Sequence, residues 1–278
     1  MEPYWNSIKQ IVRESDIVLE IVDARAVELS RNEQLEKIIR EAGRPKIIVV
    51  NKIDLVDPKE LEMSVERLLV DNECVVYVSN RRTRTIKTLL AKIRQMFAKY
   101  GKRKEFDDNS PIVKKPYREA RADIVIGVVG YPNVGKSSII NALSFKKKMK
   151  VSVKAGTTHG VHWISASDEI KLIDTPGVIP LAKTEEINLG FIAARSPEKL
   201  KDPELVAGKI IGLFKSKGRL SKIEEAYKLK IENPEANEYE IIEEIGRKKG
   251  HLKKGGVIDE KRTSLLIVKN WQDGKLKL

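Results

Sequence analysis

Eight residues, Gly130-Tyr131-Pro132-Asn133-Val134-Gly135-Lys136-Ser137, constrain this chain more than any other stretch in it. The β-branched run DIVIGVVG (123–130) leads into them, and SSIINALS (137–144) leaves with helical spacing. A strand, a G-x-x-x-x-G-K-S loop and a helix form a unit whose backbone N–H groups curl around phosphate oxygens at a helix N-terminus. Such a unit belongs in an open α/β sheet. Asn133, Val134, Gly135, Lys136, Ser137 and Ser138 are the expected phosphate-contacting residues. Within that set, the Lys136 ammonium is suited to the terminal phosphates and the Ser137 hydroxyl to a magnesium ion.

The rest of the first 185 residues agrees with this architecture. DIVLEIVDA (16–24), PKIIVVNK (45–52) and ECVVYVSN (73–80) are apolar, β-branched and of strand length. VHWISA (161–166) and EIKLIDTPG (169–177) follow the phosphate loop as further strands. Helical spacing is expected over 31–42 and 58–70, and over 85–100, where Ile86, Leu89, Leu90, Ile93, Met96 and Phe97 share a face. The polar stretch 101–122 reads as a connection. From about residue 186 only helical patterns continue, with Asp202 the expected N-cap before Pro203, and with glycines closing the helices near 250 and 274. The expected division is therefore an α/β domain over 1–185 and a small all-α domain over 186–278.

Two more segments carry chemistry. In NKID (51–54), a short polar loop ends a buried strand. The Asp54 carboxylate can accept both the N1–H and the 2-amino group of guanine, whereas adenine offers no such donor pair. Asn51 is placed to brace the purine edge or a neighbouring loop, and the Lys52 stem to lie across the base. In DTPG (174–177), Asp174 closes a strand where it can accept a hydrogen bond from magnesium-bound water, and Gly177 can offer its N–H to a terminal phosphate. Of the two threonines in KAGTTHG (154–160), Thr158 rather than Thr157 is expected to complete the magnesium shell beside a third phosphate. The expected ligands are thus GTP or GDP with Mg2+.

Composition narrows the surroundings. The chain has a formal net charge of +13, which favours a polyanionic partner such as RNA or an acidic membrane surface. Part of the lysine content also matches the bias of proteins from hot environments. Basic residues cluster at Arg81, Arg82 and Arg84, at 102–104, at 146–150 and in RKKGHLKK (247–254). Aromatic residues make up only 5% of the chain, so backbone and shape recognition of folded RNA suits it better than base stacking along a single strand. A single cysteine, Cys74, excludes a disulfide framework within the chain and is expected to be a buried strand residue. No run of 18 apolar residues and no signal-peptide pattern occurs, so a soluble, cytoplasmic protein without membrane insertion is expected.

The motifs resemble those of the GTPase superfamily in a rotated order: NKID, SNRRT (79–83), phosphate loop, Thr158, DTPG. That order resembles the circularly permuted GTPases, and specifically their YlqF/YawG family of ribosome-assembly factors. DIVLEIVDARAVELSRN, GYPNVGKSSIINAL and the ending DEKRTSLLIVKNWQDGKL all resemble that family's segments. The resemblance implies a slow GTPase switch acting on ribosomal RNA or a large-subunit precursor; a monomer is expected. It also places Ser79 and Asn80 in the purine-binding loop and gives Asn133 a role in holding a potassium ion. Val178 occupies the position after DTPG where many GTPases carry glutamine, and the opening MEPYWNSIKQ lacks the histidine of the family's bacterial members. No general base is assigned; His159, beside Thr158, competes with the reading of an exposed loop histidine. Two other classes stay open: a signalling or membrane-peripheral GTPase, and an RNA-binding module with a vestigial nucleotide pocket.

Overall fold

The computed structural model describes residues 2–70, 74–102, 124–144, 162–167, 169–174, 186–233 and 235–278. The chain divides into two compact units, one of residues 1–53 and 62–180, the other of 54–61 and 181–278.

The first unit is built on a six-stranded sheet in the order β3-β2-β1-β4-β6-β5. Its strands are β1 (Ile17–Asp23), β2 (Lys46–Asn51), β3 (Val75–Val78), β4 (Ile124–Val129), β5 (His162–Ser165) and β6 (Ile170–Asp174). All neighbours run parallel except β5, which pairs antiparallel with β6. Every residue of β1 is buried, the expected state of a central parallel strand covered on both faces. Helices α1 (Glu2–Glu14), α2 (Glu33–Glu41), α3 (Pro58–Val70, its first turn belonging to the other unit), α4 (Thr83–Tyr100) and α5 (Lys136–Leu143) connect or flank the strands. The α1 helix was not expected, although Ile8, Ile11 and Val12 recur at helical spacing and are buried. Cys74 just precedes β3 and is half-buried rather than buried; its carbonyl accepts from the Ile48 N–H at 2.8 Å.

The second unit is helical: α6 (Glu186–Phe191), α7 (Pro203–Ser216), α8 (Leu220–Tyr227), α9 (Glu238–Lys249) and α10 (Glu260–Gln272). Its centre is the fully buried Trp271, with the Phe191 ring at 5.2 Å and the Phe214 ring edge-on at 6.0 Å. The Trp271 indole N–H donates to the Phe191 carbonyl at 2.8 Å, so burial leaves no polar atom of the ring unpaired. Asn237 opens α9 with a capping box to Glu240, and Gly250 closes it in the left-handed conformation. Asp202 stands at the N-cap of α7, but its side chain makes no capping bond; Pro203, which needs no N–H partner, starts the helix there. Among the described residues no helix is long and apolar enough to cross a membrane.

Candidate nucleotide site

Strand order reverses between β1 and β4. From β1 the chain steps outward through β2 and β3, then returns to the other side of β1 with β4 and continues to β6. Ligands of open α/β sheets bind beyond the strand C-termini at such a switch point. The loop at 130–135 leaves β4 there. Register brings other strand ends to the same edge: Asp23 pairs with Asn51, Asn51 with Val78, and Val128 with Asp174.

The loop is shaped by its own backbone and gripped from two neighbouring strands. Gly135, the N-cap of α5, has φ +104, and a Cβ there would lie 2.1 Å from the Asn51 Nδ2. Only glycine permits both the conformation and the close approach. That Asn51 amide donates to the Val134 carbonyl at 2.9 Å, in a fully buried bond spanning 83 residues of sequence. Of the two expectations for Asn51, the neighbouring-loop brace is the contact present; its Oδ1 is buried and accepts no hydrogen bond among the described residues. Lys52, at φ +64, sends its ammonium to the Asn133 carbonyl and to the Asp23 carboxylate, both at 2.8 Å. The Lys136 ammonium donates to the carbonyls of Gly130 at 3.0 Å and Tyr131 at 2.7 Å, and is buried. Ser137 and Ser138 are exposed at the start of α5, where helix N–H groups and the helix dipole favour an anion.

Asp23 is a participant that the sequence reading overlooked. It is fully buried at the end of β1 and accepts from the Arg25 Nε at 3.0 Å and the Arg25 Nη2 at 2.9 Å, as well as from Lys52. Burial alone would push its carboxyl up, but the Arg25 guanidinium and the Lys52 ammonium together hold it well below the usual carboxylate range. The anion therefore persists and fixes Lys52. The available signal was an acid closing the apolar, β-branched run 17–23. Tyr131 is anchored similarly: its hydroxyl accepts from Asn32 Nδ2 at 3.1 Å, while Asn32 Oδ1 caps α2.

Farther down β1, Glu20 is buried among apolar neighbours, with Lys46 Nζ at 3.3 Å. Lys46 in turn lies 3.6 Å from Glu36, which Arg31 holds at 2.7 Å. Burial pushes the Glu20 carboxyl up to about 7 despite the opposing Lys46 charge.

Ser79 and Asn80 follow β3. Ser79 is buried; its N–H donates to Thr85 Oγ1 at 3.1 Å and its Oγ accepts from the Arg81 N–H at 3.2 Å, a self-closed turn before α4. Asn80 is exposed. Asp54 lies in a 3-10 turn, Ile53–Leu55. The backbone of Asp174 ends β6 beside β4. Thr157, Thr158, His159, Gly177 and Val178 lie outside the described residues, as do 103–104 and 146–150 of the basic clusters. Arg81, Arg82, Arg84 and Lys102 are exposed on the first unit. On the second, Lys248, Lys249, Lys253 and Lys254 are exposed, and Arg247 pairs with Glu243 at 3.2 Å. Among the described residues no group of three or more His, Cys, Asp or Glu could hold a metal by itself. A magnesium ion shared with phosphate oxygens needs fewer protein ligands, and the exposed Ser137 hydroxyl at the first turn of α5 is a donor of the right kind.

Comparison with known proteins gives a consistent picture. Residues 125–232 match a family described as 50S ribosome-binding GTPase. An uncharacterized GTP-binding protein of Methanocaldococcus jannaschii is 38% identical over 274 residues, covering 99% of this chain and 66% of that protein. Nuclear GTP-binding protein NUG1 of Saccharomyces cerevisiae is 27% identical, with 98% of this chain and 55% of the yeast protein covered. Ribosome biogenesis GTPase A of Priestia megaterium is 29% identical, over 94% of this chain and 86% of the relative. The chain thus spans 66% and 55% of the length of the archaeal and yeast relatives. In fold, it is similar to a GDP-bound YlqF, with a TM-score of 0.63, 24% identity, and coverage of 98% of this chain and 96% of the other. A GNP-bound YlqF from T. maritima gives a TM-score of 0.62 at 23% identity, covering 98% and 94%.

Proposed function

We propose that this chain is a circularly permuted GTPase of the YlqF/YawG family, as its similarity to GTP-binding relatives and to the YlqF fold supports, and that it binds GTP and slowly hydrolyses it to GDP and phosphate. We further propose that this cycle controls binding to ribosomal RNA or a large-subunit precursor, in the cytoplasm and as a monomer. The observation that carries the nucleotide reading is the pair of hydrogen bonds that NKID donates to the phosphate loop: Asn51 to the Val134 carbonyl and Lys52 to the Asn133 carbonyl. Motifs 83 residues apart are locked at one sheet edge, so a base held by the first and phosphates held by the second belong to one ligand. A vestigial pocket gives no reason for such an arrangement.

In this reading Asp54 accepts the paired donors of guanine, and the loop N–H groups with Lys136 hold the phosphates. Lys136 exchanges its loop carbonyls for phosphate oxygens when the nucleotide enters. Magnesium, when bound, neutralises charge on the β- and γ-phosphates; Ser137 would hold it directly, Thr158 would join it in the triphosphate state, and Asp174 would accept from its bound water. Gly177 contributes an N–H to the terminal phosphate. A potassium ion at Asn133 would add positive charge at the same oxygens. Ser79 and Asn80 line the purine side.

For the partner, exposed basic residues on both units support a phosphate-rich surface, with RKKGHLKK on the helical unit the densest described cluster. Two measurements test the function. The parent protein should prefer GDP to ADP, and Asp54→Asn should shift preference towards xanthine nucleotides; equal affinity for GTP and ATP in the parent overturns the reading. Ribosomal-particle affinity at one fixed salt concentration should differ between GTP-analogue and GDP forms by roughly 5- to 150-fold.

A further inference from the structure

Within the sheet unit, the phosphate loop is tethered in both of its halves. The two bonds from NKID reach the carbonyls of Asn133 and Val134, in the second half. The first half is reached through a side chain: Asn32 Nδ2 donates at 3.1 Å to the hydroxyl of Tyr131, 99 residues away in sequence. Tyr131 is buried, and its carbonyl is one of the two that accept from Lys136. Asn32 is itself held on both sides. Its Oδ1 caps α2 by accepting from the Leu35 N–H at 2.9 Å. Before it, Ser30 Oγ accepts from the Asp23 N–H at 3.0 Å and donates to the Ala26 carbonyl at 2.7 Å, closing the turn that leaves β1. Beside it, Arg31 forks onto Glu36 with Nε at 2.7 Å and Nη2 at 2.9 Å, and Lys46 of β2 lies 3.6 Å from the same carboxylate. Leu35, Ile38 and Ile39 bury one face of α2. The Nδ2 donor is therefore presented to Tyr131 from a fixed place.

We propose that Asn32 is a positioning residue for phosphate binding, acting through the Tyr131 hydroxyl on the first half of the loop. This role rests on the reading of residues 130–137 as a phosphate loop. The need for it arises when a nucleotide enters. Lys136 then leaves the Gly130 and Tyr131 carbonyls for phosphate oxygens, and the front of the loop loses the clasp those bonds supply. The bond from Asn32 uses no atom of Lys136, so it persists through the exchange and keeps the loop N–H groups aimed at the anion. Placement is exacting at this end of the loop. Gly130, at φ +144, packs so close to β1 that a Cβ would lie 2.5 Å from the Ile21 carbonyl oxygen, so the loop starts hard against the strand.

The discriminating measurement is the ratio of dissociation constants for GMP and GDP. The two ligands share base and ribose, so the ratio cancels whatever reads those parts; GDP presents one more phosphate to the loop, so a loosened loop costs GDP more. Asn32→Ser keeps the cap, because serine caps a helix about as well as asparagine, but is too short to reach Tyr131. Tyr131→Phe removes the hydroxyl and leaves the cap untouched. Each should lower the ratio by roughly threefold to tenfold, the span of one net hydrogen bond. The double variant should lose no more than either single variant, because both changes remove the same bond. A parental ratio in both single variants would overturn the inference, by reducing the contact to general scaffolding. Single effects that multiply in the double variant would overturn it too, since the residues would then act independently. GDP bound no more tightly than GMP by the parent protein would overturn the phosphate-loop reading itself, and this inference with it.

Discussion

Replacing Asn51 with alanine should damage the phosphate loop before it damages anything else. The substitution deletes the donor that reaches the Val134 carbonyl at 2.9 Å across a fully buried contact. The carbonyl is left without that donor at a position buried in the structure. Leaving a buried acceptor unsatisfied costs about 1–3 kcal/mol. The same loss, expressed as weaker preorganisation of the loop, corresponds to roughly 5- to 150-fold in nucleotide affinity, at about 1.4 kcal/mol for each factor of ten. Two assays together isolate the cause. Urea unfolding of nucleotide-free protein should show the destabilisation, and GDP and IDP should weaken by equal factors, since a loop brace does not distinguish the bases. Asn51→Asp should be worse, because it turns an acceptor towards an acceptor. Unchanged stability of the nucleotide-free protein, with GDP weakened more than IDP, would refute the brace and move Asn51 to the purine edge.

Stability should fall as pH rises from about 4.5 through about 7 because of Glu20, whose carboxyl is pushed up to about 7 by burial. Across that interval the folded state binds more protons than the unfolded chain, and the difference amounts to about 3 kcal/mol; Glu20→Gln should flatten the pH dependence of the unfolding midpoint, and an equally steep profile in the variant would refute the assignment. Charge removal at Asp23 should act on binding: Asp23→Asn should release Lys52 and lower the affinity for GDP and IDP alike, by about tenfold for loss of a charged, partly buried hydrogen bond. Nucleotide binding by Asp23→Asn at parental strength would show that Lys52 needs no anchor. Hydrolysis by the isolated protein should run on the order of 10⁻⁴ to 10⁻² per second, faster in potassium than in sodium, and Asn133→Ala should erase that difference; turnover of tens per second would reveal a catalytic group not identified among these residues.

Local chemistry made much of this protein legible in one dimension. β-Branched runs ending in polar loops located the strands, since apolar strands buried on both faces read as continuous runs. The glycines at 130 and 135, with Lys136 and Ser137, located the phosphate loop because its conformation excludes most other residues. The order of the motifs announced the permutation, and parallel strands tolerate it because all their C-terminal loops share an edge. Pairing between distant segments was decided elsewhere. That Asn51 would bond the Val134 carbonyl, and that Lys52 would be held by Asp23, depended on β1 and β2 being neighbours with Asp23 and Asn51 in register. Nor could any pattern within 54–61 reveal its attachment to the helices. Its partners, Lys217, Arg219, Gly274 and Leu278, lie more than 150 residues away and are ordinary residues in their own context. Turn geometry, capping and periodicity are short-range and written into adjacent residues; the choice of long-range partner is made only when the whole chain has packed, because contact energy there depends on shape and register that no single segment carries.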